Sequence, residues 1–120
     1  MKKYKFTGET RFHNGATVYQ IVAVKDFGDV ENGDIGGWIE TESNLSHDGE
    51  CWVFDSAIAM KNARVCCNAQ LTDSSIASGS CLVSGSATVK GKAKITGEAQ
   101  LIGFAKIWDN TRMHKGVKSE

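Results

Sequence analysis

The chain has 120 residues, with 14 Lys and Arg against 14 Asp and Glu, so its formal charge is zero. That balance excludes a generally basic nucleic-acid binder and a wholly acidic mimic of DNA. No apolar run nears the roughly 20 residues that cross a bilayer, and the basic start Met1-Lys2-Lys3-Tyr4-Lys5-Phe6 leads into no apolar signal segment, so a cytoplasmic location in whatever cell makes it is expected and membrane is not an expected partner. In such a setting the four cysteines, Cys51, Cys66, Cys67 and Cys81, read as thiols.

Residues 1–43 form the first part of the chain. Lys3–Thr7, Ala16–Val24 and Gly37–Glu40 have strand character, separated by turns at His13-Asn14-Gly15 and Glu31-Asn32-Gly33-Asp34. Acidic residues gather between them at Asp26, Asp29, Glu31 and Asp34. Gly28, Gly33, Gly36 and Gly37 read as turn glycines, because no phosphate-binding motif and no following helix accompanies them.

From residue 50 the chain falls into sixes: ECWVFD, SAIAMK, NARVCC, NAQLTD, SSIASG, SCLVSG, SATVKG, KAKITG, EAQLIG, FAKIWD, NTRMHK. The second position is always small and the fourth always apolar. The sixth is mostly Gly or Asp. Asn44-Leu45-Ser46-His47-Asp48-Gly49 fits the frame loosely. Positions two and four lie on one face of an extended strand, so that face is the interior. Position six supplies a bend, where Gly and Asp tolerate positive φ. A strand and a bend every six residues give a coil with three flat sides, and residues i and i+18 stack about 4.8 Å apart. The apolar period does not fit a helix. The expected fold is all-β: a single-stranded triangular β-helix of about four coils over residues 44–115. A short β cap over 1–43 shields its first edge, and 116–120 is a polar tail.

The pairs Val65–Ala69, Val83–Ala87, Val89–Ala93, Ile95–Ala99 and Leu101–Ala105 carry an aliphatic residue four positions before a small one. In this the chain resembles the hexapeptide-repeat left-handed β-helix family, and the resemblance implies the left hand. The stretch Lys25-Asp26-Phe27-Gly28-Asp29-Val30, with Gly33-Asp34-Ile35-Gly36-Gly37-Trp38-Ile39-Glu40 and Asn44-Leu45-Ser46, is also similar to small phage and prophage proteins. It resembles, too, the front of the bacterial YdcK-type β-helix proteins. That similarity implies a mobile-element setting and no particular activity.

Acyl transfer is the commonest enzymatic use that the hexapeptide resemblance implies, through a histidine general base beside a loop that interrupts the coils. Here no insertion breaks the eleven hexads, and His13, His47 and His114 are scattered. His47 and His114 lie nearly four coils apart, so no three-histidine metal site forms within one chain. Cys51 and Cys81 fall in the small-residue inner column, where Cys acts as a small hydrophobe. Cys66 and Cys67, read as strand neighbours, point to opposite faces. No catalytic residue, cofactor or metal is expected.

Outward positions carry the interaction candidates. Trp52, Phe54, Ile58, Met60, Ile76 and Leu82 form an apolar cluster that either the cap or a partner must cover, and Trp108 is a similar outlier. Lys90, Lys92, Lys94, Lys106 and Arg112 form a basic strip, read as a solvated face, so nucleic acid is not an expected partner. The expected function is a non-enzymatic protein-binding module that occludes a host or defence protein, of which an anti-CRISPR inhibitor is the form the phage resemblance implies. The alternatives are a self-associating structural protein, as a homodimer or homotrimer, and an acyltransferase.

Overall fold

The computed structural model describes residues 2–120. The chain enters as an antiparallel hairpin of β1 (Tyr4–His13) and β2 (Ala16–Ala23), followed by β3 (Ile35–Ile39). Asn14 and Gly15, at φ 46° and 84°, supply the two positive-φ residues that a tight hairpin turn needs. β1 runs beyond the predicted Thr7 to pair with β2 as far as His13, across a register shift between Phe6 and Thr10; Gly8, at φ 104°, lies in that irregularity. One short 3₁₀ turn, Glu42–Asn44, follows. Among the described residues no helix is long and apolar enough to cross a membrane.

The hexads then form two-residue strands at a constant spacing. They are β4 (Trp52–Val53), β5 (Ile58–Ala59), β6 (Arg64–Val65), β7 (Gln70–Leu71), β8 (Ile76–Ala77), β9 (Leu82–Val83) and β10 (Thr88–Val89). β11 (Lys94–Ile95), β12 (Gln100–Leu101), β13 (Lys106–Ile107), β14 (Arg112–Met113) and β15 (Val117–Lys118) complete them. They stack in parallel on three faces: β4-β7-β10-β13, β6-β9-β12-β15, and β3-β5-β8-β11-β14. The chain visits the faces in turn, making a β-solenoid of about four coils. Ile58 sits on Ile76, Ile76 on Lys94 and Lys94 on Arg112, each 18 residues on.

Two features of the hexad dictate this shape. From Asp55 to Asp109 every sixth-position residue has a φ between +56° and +69°, whether it is Gly, Asp, Lys61 or Cys67. Those corners also touch from coil to coil: a Cβ on Gly85 would stand 2.7 Å from the Gly103 nitrogen. Inside, the second and fourth positions from Cys51 to Ile107 are all buried, one continuous apolar column.

β3 joins cap to solenoid. Its inner edge pairs with β5, Trp38 on Ile58 and Ile39 on Ala59, and its outer edge pairs with β2. The spacing there is 20 residues; Leu45 over Val65 keeps 20 and Trp52 over Gln70 returns to 18, so the two extra residues lie between Leu45 and Trp52. The cap therefore continues one face of the solenoid into a seven-stranded sheet. It also covers most of the outer apolar cluster. Trp52 is 1% exposed, held edge-on by Phe27 at 5.2 Å and by Tyr4 at 6.0 Å. Ile58 and Met60 are buried with Ala16, Val18 and Trp38, and the Arg11 guanidinium lies 4.4 Å from the Trp38 ring. Trp52, Ile58 and Met60 are thus closed to a partner, while Phe54, Ile76 and Leu82 are half-buried. Gly36, read as a turn glycine, lies in β3 together with Gly37, where the predicted strand Gly37–Glu40 begins; a Cβ on Gly36 would stand 2.6 Å from the Trp52 ring, and one on Gly37 2.5 Å from the Ala57 carbonyl.

At the far end the frame slips. Gln100 faces Val117, and Leu101 faces Lys118, 17 residues on instead of 18. Stacking therefore continues into residues 116–120, and the hexad frame loses sight of it because one residue is missing.

If the inner column and the cap contact carry the stability, Leu101→Ala should cost about 3 kcal/mol and Trp52→Ala about 3–5 kcal/mol. Lys106→Ala, on the exposed side of the same solenoid, should stay within about 0.5 kcal/mol of the parent protein. Urea unfolding followed by circular dichroism measures all three.

Candidate functional site

The densest polar constellation lies where the cap meets the first coil. Lys3 is fully buried, and its ammonium donates to the carbonyls of Cys51 (2.7 Å) and Gly49 (3.2 Å). It stands 3.3 Å from the Cys51 sulfur and 4.7 Å from the centre of the Phe27 ring. Burial pulls its pKa below the usual lysine value and pushes the Cys51 thiol up. Tyr4 donates its hydroxyl to the Leu45 carbonyl at 2.6 Å and stacks on His47 with ring centres 4.0 Å apart. Burial raises the Tyr4 pKa.

His47 is committed on both sides. Its Nδ1 accepts the backbone N–H of Lys3 at 3.1 Å, which leaves the proton of the neutral ring on Nε2, 2.8 Å from the Glu42 carboxylate. Glu42 also receives the Lys2 ammonium at 3.1 Å. The hydrogen bonds from His47 and Lys2 hold the Glu42 carboxyl below its usual range. A general base needs a lone pair aimed at a substrate proton, and the His47 lone pair is spent on the backbone of the cap. The ring works as a clamp between the chain start and the first coil.

His13 lies at the hairpin turn and His114 on the outer surface of the last coil. The three histidines do not converge, and among the described residues no group of three or more His, Cys, Asp and Glu could hold a metal ion. Cys81 is buried in the inner column, and burial lifts its thiol to about 11. The Cys66–Cys67 reading is overturned. The two are not strand neighbours: Cys67 occupies the corner at φ +63°, and this bend turns both sulfurs to one side, 3.4 Å apart.

Two clefts open beside the junction. One, of about 510 Å³, is lined by Glu40, Thr41, Ser43, Asn44 and Lys61–Arg64. The other, of about 320 Å³, lies between His47, Leu45, Arg64, Cys66 and Leu82. The acidic loop is exposed throughout its carboxylates. Asp26 accepts the Asn32 N–H at 2.8 Å and Asp34 the Glu31 N–H at 2.9 Å, so these two fold the loop. Asp29 and Glu31 face water, and Ile35, at the start of β3, is 58% exposed.

The basic strip is divided between two faces. Lys94 and Arg112 stack on one, and Lys106 lies over Thr88 on the next. Lys90 and Lys106 flank a shallow cleft of about 250 Å³ under Trp108, which is 55% exposed. Lys92 sits in the corner groove with Asp109 and Asn110.

The unbroken hexads, the stacked parallel strands and the shared corner geometry define the chain as a hexapeptide-repeat β-helix protein. No family model matches it. It is similar to a protein of Escherichia coli (strain K12) described as "Uncharacterized acetyltransferase YdcK", with 35% identity over 88 residues covering 66% of this chain. The chain spans about a quarter, 27%, of the length of that curated relative.

Glu42 contributes stability that is present above the ordinary glutamate pKa of the unfolded chain and lost as pH falls through its lower folded value. On acidification, the parent protein should therefore lose more of its urea midpoint than Glu42→Gln does. Superimposable pH profiles for the two proteins would remove the clamp from the stability of the junction.

Proposed function

We propose that the protein is a non-enzymatic binding module that presents a stiff β-helix surface to a protein partner and acts by occlusion. The single observation that carries this reading is the engagement of His47. The one histidine set in a polar network beside a cleft has both ring nitrogens occupied within the fold, while the exposed carboxylates and apolar groups remain free to touch another molecule. The contact we assign is the acidic loop, through Asp29 and Glu31, with the exposed Ile35 that follows the loop in the chain. It combines charge, which steers encounter, with an exposed aliphatic anchor, and it is mounted on a cap that the Trp52 contact holds rigid. Inhibition of a bacterial defence or host enzyme, as an anti-CRISPR protein acts, is one specific form of this reading, the form implied by the resemblance drawn from the sequence.

Affinity capture from bacterial lysate tests it, with the parent protein beside Asp29→Lys/Glu31→Lys. A stoichiometric partner should bind the parent and be lost, by roughly tenfold or more, from the charge-reversed protein. Recovery of no stoichiometric partner, or equal recovery on both, would count against the proposal.

An acetyltransferase is the second reading, favoured by the printed name of the Escherichia coli relative. It requires turnover of a coenzyme A thioester that depends on His47 or His114, so alanine variants of each in a thiol-release assay decide it.

A further inference from the structure

We infer that Cys66 and Cys67 form a vicinal dithiol site for a trivalent metalloid of the arsenite type, bound through both sulfurs. This site lies apart from the acidic loop and does not depend on the function proposed above.

The observation is the side-by-side presentation of two thiols on the outside of a rigid corner. Their sulfurs are 3.4 Å apart, Cys67 is exposed and Cys66 half-buried. Cys67 takes a positive φ in a column whose neighbours above and below, Gly49 and Gly85, are glycines. A branched-free glycine carries no penalty there, whereas a cysteine does, so the residue type is opposed by the local backbone. The corner cannot relax easily: the Cys67 carbonyl accepts the N–H groups of both Glu50 and Cys51, at 3.0 and 2.9 Å. The pair is thus held ready for an atom that bridges the two sulfurs.

Chemistry narrows the ligand. A disulfide between consecutive residues must form across Cα atoms about 3.8 Å apart, shorter than the roughly 4.4–6.8 Å that disulfides occupy, so it is strained and easily reduced. Zinc takes four ligands, and among the described residues no third His, Cys, Asp or Glu joins the pair. A trivalent arsenic centre needs two thiolates and one further substituent, which the pair and solvent or an organic group provide. An aryl group on the arsenic would have the cleft beside Cys66 available, walled by Leu45, Val65 and Leu82. The backbone hydrogen bond at Gly85 lowers the Cys67 thiol, while burial lifts Cys66 to about 11. Cys67 is therefore the first sulfur to attack. With an aryl arsenoxide the reaction is a condensation: two S–H and one As=O give two As–S bonds and one water, and arsenic stays trivalent.

Phenylarsine oxide is the probe, read by intact-protein mass spectrometry with circular dichroism as the control on folding. The parent protein should take one phenylarsenic unit, keep it in excess monothiol and release it to a 1,2-dithiol. Arsenite should compete for the site. Cys66→Ser and Cys67→Gly each remove one sulfur, and Cys67→Gly gives the corner the residue its column neighbours carry, so folding is not at risk. Either change should weaken retention roughly a hundredfold, the gain that a linked second contact supplies. Failure of the folded parent to bind, or undiminished retention in either variant, would overturn the assignment.

Discussion

The rest of the structure depends on a repeated backbone contact at the corners of the solenoid. From Asp55 to Asp109 each sixth residue turns through positive φ, and at Gly79, Gly85 and Gly91 its backbone lies against the residue 18 positions on. That contact fixes the angle between faces, and the angle fixes which side chains point inward. With the corners set, strands of two residues suffice. Each is too short to be stable alone, but N–H groups such as those of Leu82, Thr88 and Lys94 bond to carbonyls of the next coil at 2.9–3.0 Å. Stability is then summed from neighbour to neighbour, as in other stacked-repeat proteins.

The cap solves the problem that stacking creates at its first edge. β3 is both the last strand of an antiparallel sheet and the first rung of a parallel face. Two glycines let it lie close: Gly36 admits the Trp52 ring and Gly37 the Ala57 carbonyl. The polar groups stranded at this boundary are gathered by Lys3, Tyr4, His47 and Asn44, whose side-chain nitrogen reaches the carbonyls of Lys61 and Ala63. The His47–Glu42 pair beside the cleft fastens the hairpin to the first coil through the Lys3 N–H and the Lys2 ammonium.

The coil was legible in the sequence because period-six patterning has no helical counterpart, and because small and aliphatic residues repeat without interruption from Cys51 to Ile107. The covering of Trp52, Ile58 and Met60 was half-legible: their size and outward register required a cover, but whether Tyr4, Phe27 and Val18 or another chain supplied it depends on how the hairpin folds back. The junction network was hidden, since Lys3 is 48 residues from Cys51 and no pattern links them. The nearness of Cys66 and Cys67 was missed because alternation was applied across a corner. The signal was available, as Cys67 stands at the bend position of its hexad. The last rung was missed because a single absent residue breaks the count before Val117.

The slip at that rung has a consequence for association. A stack of parallel, in-register strands is the geometry from which fibrils grow. The frame shift moves Lys118 into line above Leu101, so a charged side chain sits over the aliphatic column, just as buried Lys3 sits by Cys51 at the opposite end. Any further layer laid squarely on this rung would have to strip water from an ammonium with no carboxylate inside to receive it, at a cost of several kcal/mol. Lys118 is half-buried on this rung, and its charged head favours water. A square stack on this rung is therefore disfavoured by the hydration that the Lys118 ammonium would have to give up.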